Sequence, residues 1–122
     1  MSDINELVDR YITVWNETDA NARRTLVAET FSEQARYTDP MTAVTGRADL
    51  DAVIAAVQVQ FTGLVFSLAG AVDAHHDIAR FTWNLGLPGE EPLVVGFDVV
   101  ETDGSGRIHQ VQGFLDKVPA GA

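Results

Sequence analysis

Apolar side chains at the start of the chain recur at spacings of three and four: Ile4, Leu7, Val8, Tyr11, Val14 and Trp15. That spacing is one face of an amphipathic helix, ending near residues 16–18. Asp3 with Glu6 three residues on reads as a capping box at its start. Asp19 is placed to cap a second helix over residues 20–28, whose inward positions Leu26 and Val27 continue to Phe31 in a short turn. Residues 35–39 predict a short extended piece, because Pro40 forces Asp39 away from helical backbone. Residues 41–46 predict a loop or short strand. A third helix follows over 47–61, with Leu50, Val53, Ile54, Val57 and Phe61 on one face. Residues 64–72 predict a strand and 73–77 a connection. Three apolar runs then fill 78–118, separated by Pro88-Gly89-Glu90-Glu91 and Asp103-Gly104-Ser105-Gly106. Short Gly/Pro/Asp clusters between such runs predict an antiparallel meander. Helices gathered first and strands last make an α+β domain, a curved sheet with three helices on one face.

The middle run of the meander, residues 92–102, predicts its central strand. Side chains alternate along a strand, so Val94, Gly96, Asp98 and Val100 share one face and Leu93, Val95, Phe97 and Val99 the other. Both faces are largely apolar, so both need cover. The helices supply one cover, and a second copy of the chain is the simplest for the other, which predicts a homodimer through the outer sheet face. Asp98 is the exception on its strand. It either faces solvent on a half-exposed sheet or points into a pocket with a raised pKa, since an ionised carboxylate is costly to bury without partners.

Composition narrows the function classes. The chain has 122 residues, enough for one domain with one core; we place that domain at 1–118 and a frayed tail at 119–122. A net charge of −10 argues against nucleic acid and anionic membranes, whose phosphates need lysine and arginine. The absence of cysteine excludes disulfides, thiolate metal sites and a cysteine nucleophile. The start, MSDINE, is too polar for a signal peptide, and no apolar run reaches the length of a membrane span. The expected location is the cytoplasm.

Three segments carry a resemblance to a known family. They are Arg10-Tyr-Ile-Thr-Val-Trp-Asn-Glu-Thr-Asp19, Tyr37-Thr-Asp-Pro40 with Gly46 and its following helix, and Phe81-Thr-Trp-Asn-Leu85 leading to Asp98 and Gly106-Arg-Ile108. In order and spacing the chain resembles the NTF2-like superfamily, the SnoaL-like and ketosteroid-isomerase-like proteins. The resemblance implies a cone-shaped, cystatin-like α+β fold whose concave face carries the helices and encloses an apolar pocket. This fold hosts many unrelated functions. Transferred residue by residue, the isomerase-like pattern implies Asp39 as general base, with Tyr11 and a protonated Asp98 donating to the substrate's carbonyl oxygen; a neutral carboxylic acid in that role is a known feature of that isomerase. It implies a wall formed by Trp15, Phe81, Trp83, Leu85, Val94, His109, Val111, Gly113 and Leu115. Neither a cofactor nor a metal is implied. Two departures, a longer stretch between Asn16 and Asp39 and the bulk of Trp83, argue against a steroid-sized substrate.

Such a set suits removal of a proton next to a carbonyl, in an isomerisation or in the ring closure of a polyketide. That chemistry needs a base at the C–H and donors where oxygen charge grows. Each residue also has a structural reading. Tyr11 fits a core tyrosine, and Asp39 before proline fits a turn-forming residue. His75 and His76 are adjacent in an extended link and point opposite ways, which does not suit a shared metal. Arg80 alternates with Phe81 and belongs on the outer face. The alternative to an enzyme is a module that binds a small apolar or carbonyl-containing ligand, or only dimerises, on the same fold.

Overall fold

The computed structural model describes residues 4–119. Three helices, α1 (Ile4–Asn16), α2 (Ala20–Thr30) and α3 (Arg47–Gln60), precede or interrupt six strands. The strands are β1 (Phe31–Thr38), β2 (Ala43–Thr45), β3 (Val65–His75), β4 (Ile78–Gly86), β5 (Val94–Thr102) and β6 (Ile108–Lys117). They form one mixed sheet in the order β2-β1-β6-β5-β4-β3. Strands β3 to β6 are the antiparallel meander, and β1 joins β6 in parallel. This is the α+β cone fold.

The helix α1 buries Leu7, Val8, Tyr11, Ile12, Val14 and Trp15 against the sheet. Each such side chain contributes about 1.5–3 kcal/mol when fully removed from water. Asp19 caps α2, its carboxylate accepting from the Ala22 N–H at 2.8 Å. Asp3 of the capping box lies outside the described residues, as do residues 120–122 of the tail. Asn16, at the end of α1, accepts from the Phe66 N–H at 2.8 Å and donates to its carbonyl at 2.9 Å. These bonds cover backbone groups on β3, an edge strand whose free side would otherwise be a template for pairing. Buried Arg23 ties α2 to α3 through Asp51 at 2.8 Å and Gln58 at 2.9 Å.

Two elements differ from the sequence reading. Strand β1 starts at Phe31 rather than at residue 35, directly from the end of α2. Its first half, Ser32-Glu33-Gln34, is polar and bulges away from β6, so no alternation marks it. Strand β3 runs on to His75, pairing Asp73 with Arg80 and His75 with Ile78. The expected connection shrinks to a tight turn at His76, which takes a φ of 51°. Asp73, Ala74 and His75 at the end of β3 are all solvent-exposed, so no burial pattern marks this part of the strand.

The face of β5 toward the helices, Val94, Gly96, Asp98 and Val100, is buried throughout. The opposite face is only partly covered: Leu93 is 42% exposed and Phe114, opposite Phe97 on β6, 56%. Arg80 is on the outside, paired with Asp73 at 2.9 Å in solvent. No helix among the described residues is long and apolar enough to cross a membrane.

Candidate active site

Between α1, α3, the inner face of β4 to β6 and the turn after β1 lies a cavity of about 300 Å³. That is at the small end of ligand-binding cavities. Its wall is mainly apolar and aromatic: Ile12, Trp15, Val57, Phe61, Phe66, Trp83, Leu85, Val94 and Leu115, with Met41 and Val118 at the rim. Two carboxylates, Asp39 and Asp98, and two tyrosines, Tyr11 and Tyr37, supply its polar groups together with Gln60.

The carboxylates and tyrosines are arranged as two pairs. The Tyr11 hydroxyl, carried by α1, donates to Asp98 Oδ2 on β5 at 2.7 Å. The Tyr37 hydroxyl donates to Asp39 Oδ2 at 2.6 Å, two residues apart at the end of β1. Asp39 Oδ1 accepts from the backbone N–H groups of Met41 and Thr42 at 2.8 and 3.0 Å. Asp39 therefore shapes its turn and lines the cavity at once; the two readings of it are compatible.

Asp98 is 4% exposed. Burial lifts its pKa from 3.8 to about 6, and the negative charge of Asp39 adds to the rise. Hydrogen bonds from Tyr11 and Trp83 act the other way by favouring the ionised form. Asp98 thus keeps its proton to a higher pH than an exposed aspartate does. Burial also raises Tyr11 and Tyr37, followed by the carboxylate charges and bonds around them. Both hydroxyls keep their protons and act as donors.

Two glycines make room for this arrangement. A Cβ on Gly96 would meet three consecutive ring atoms of Trp83 at 2.0, 2.1 and 2.6 Å. The six-membered ring of Trp83 therefore lies flat over the bare Gly96 backbone on β5, its register partner. A Cβ on Gly113 would be 2.8 Å from Asp98 Oδ1 and 3.5 Å from the Asp39 Cβ. Gly113 marks the gap between the two carboxylates, and Oδ1 is the Asp98 oxygen facing it.

Tyr11, Trp15, Asp39, Trp83, Leu85, Val94, Asp98, Gly113 and Leu115 all line this one cavity. Three residues assigned to the wall from sequence do not. Phe81 is core, packed edge-on against the Tyr11 ring at 5.5 Å. Val111 is buried in the core opposite Val100. His109 faces outward, 3.6 Å from Glu101. A register shift between β5 and β6 at Glu101/Thr102 breaks the alternation, so that Ile108 and Val111, three apart, both point inward. The Tyr11 hydroxyl is also directed at Asp98 and not at open space. Tyr37 had no role assigned from sequence; its position two residues before Asp39, on the same strand face, was the available signal. His75 and His76 are exposed at the remote hairpin. Among the described residues no group of three or more His, Cys, Asp or Glu side chains is placed to hold a metal.

The SnoaL-like domain family matches the chain over residues 8–111. No curated protein matches the sequence. Among solved structures, a proposed isomerase of the SnoaL-like family from Agrobacterium tumefaciens strain C58 is 39% identical. That similarity covers 91% of this chain and 95% of that one, with a TM-score of 0.86. A proposed SnoaL-like polyketide cyclase from Jannaschia sp. CCS1 is 19% identical, over 95% and 90% of the two chains, with a TM-score of 0.71. An NTF2-like protein of unknown function from Exiguobacterium sp. 255-15 is also 19% identical, over 90% and 98%, at 0.72. The latter two share the fold.

Proposed function

Because the chain belongs to the SnoaL-like domain family, we propose that it is a small-molecule enzyme that enolises a carbonyl compound without a cofactor, as an isomerase or polyketide-cyclase type. Asp39 is the base that takes the proton next to the carbonyl. The negative charge that grows on the substrate oxygen is met by the protonated Asp98, whose Oδ1 faces the gap at Gly113. Tyr11 donates to the other oxygen, Oδ2, so it stabilises the carboxylate left when Asp98 shares or transfers its proton. In an apolar, water-poor cavity these interactions are stronger than in water. This reading is carried by a buried carboxyl, its pKa pushed up to about 6, set beside a second carboxylate at Gly113 on the wall of a ligand-sized cavity.

Carboxyl-carbon NMR of the free protein tests it, together with the pH profile of turnover on enolisable ketones and polyketide-like esters. Asp98 is expected to titrate near 6, and kcat/KM to fall as pH rises through that value, because the donor form is the protonated one. An Asp98 that titrates near the ordinary aspartate value of about 4 would refute the reading.

We also propose that the active form is a cytoplasmic homodimer joined through the outer sheet face. Half-covered Val95, Phe97 and Val99, with exposed Leu93, form an apolar stripe along β5 there. Sedimentation at micromolar concentration should give twice the monomer mass; a monomer removes the dimer from this account.

A further inference from the structure

The cavity is lined by two carboxylates and by no cationic side chain among the described residues: no lysine, arginine or histidine lines it. Buried Arg23 is taken by Asp51 and Gln58, and Arg47 by the carbonyl oxygens of Ala28 and Phe31. Both carboxylates accept hydrogen bonds, Asp98 from Tyr11 and Asp39 from Tyr37 and two backbone N–H groups, but no cationic side chain at the cavity balances their charge. The remaining wall is aromatic. Tyr11, Trp15, Tyr37, Phe61, Phe66 and Trp83 contribute rings. One face of the Trp83 ring is laid on Gly96, the Phe66 ring is set across it at 5.3 Å, and both rings line the cavity. Aromatic faces attract cations through their quadrupole, most strongly where water is excluded, and tryptophan is the best of them. An anionic ligand would meet two like charges and find no counter-charge. A hard metal ion needs six or more oxygen ligands, which this apolar wall does not offer.

We infer that, while Asp98 is ionised, the cavity takes an organic cation, a protonated-amine or quaternary ammonium group held between Asp98, Asp39 and the Trp83 ring, in place of the carbonyl substrate, which needs Asp98 protonated. This rests on the reading of the cavity as a substrate site. The bound cation compensates the carboxylates and relieves their mutual repulsion. The net charge of −10 draws the same ligands toward the protein and repels acids.

Benzyltrimethylammonium and its uncharged isostere neopentylbenzene are suitable probes, followed by tryptophan fluorescence and by NMR of the Trp83 indole N–H. The titrations are run at about 0.15 M salt, where the general field of the protein is screened within about 8 Å. At pH 8 the ammonium is expected to bind about tenfold tighter than the isostere, and to lose most of that preference by pH 5, where Asp98 is protonated. Asp98→Asn, nearly isosteric, is expected to reduce the preference at pH 8 as well. Equal affinities, tighter binding of the neutral isostere, or no binding of the ammonium overturns the inference. So does a preference left intact by both the acid pH and Asp98→Asn, which places the cation elsewhere. Because these titrations involve no turnover, their failure leaves enolisation of uncharged carbonyl compounds standing. Conversely, turnover that ignores Asp39 removes the enzyme reading and leaves the cation site in place.

Discussion

Replacing Asp39 with asparagine is expected to lower kcat/KM on an enolisable ketone by about 10²–10⁴-fold, the usual worth of a positioned general base, while leaving the fold intact. The fold survives because the amide oxygen of the asparagine can still accept from the Met41 and Thr42 N–H groups that Asp39 Oδ1 now holds. The Tyr37 hydroxyl, which donates to Oδ2, can turn to accept from the new amide N–H. What the variant cannot do is take a proton from carbon. A urea melt run beside the kinetics separates the two effects: unchanged stability with lost turnover identifies a base. If turnover is unchanged, Asp39 is a turn residue alone, and the chain is better described as a binding module. Ligand affinity then becomes the property to measure, and under the binding-module reading it is indifferent to this substitution.

The parts of this architecture that were legible in the sequence are those where burial follows a strict period. The face of α1 and the alternation of β5 were both read from spacing, and Asp98 stood out because it broke the apolar set on its own face. The first half of β1 and the end of β3 were not legible, because their side chains are exposed and carry no burial pattern. His109 was misplaced for a different reason. Alternation propagates an error past any bulge, and the shift at Glu101/Thr102 leaves no mark in the sequence beyond the neighbouring turn. The cavity itself depends on absences that only coordinates interpret. Gly96 reads as a weak strand residue until Trp83 is seen lying across it, and Gly113 until Asp98 is seen beside it. Trp83, counted from sequence as bulk that shrinks the pocket, instead lies flat against the sheet and becomes its floor.

Asp98→Asn is expected to make the protein more stable at pH 8, by up to about 3 kcal/mol, although it removes a residue assigned to catalysis. The folded protein holds the Asp98 pKa at about 6, above its ordinary value of 3.8. A carboxyl raised in this way favours folding fully below the unfolded pKa, and that contribution is lost as pH rises through the folded one. Between about pH 4 and pH 7 the wild type therefore surrenders stability that an uncharged residue keeps. Asparagine fits the site: its carbonyl oxygen can take the Tyr11 hydrogen bond now made to Oδ2, and its amide occupies the place of Oδ1 beside Gly113. Urea melts of both proteins at pH 5 and pH 8 measure the effect, and the quantity of interest is how their difference changes with pH, since all other groups titrate in both. A difference that is constant across that range means that Asp98 is not the buried, raised carboxyl described here. A difference that opens toward pH 8 shows a residue maintained against folding stability, as a catalytic or ligand-binding carboxylate is and a structural one has no reason to be.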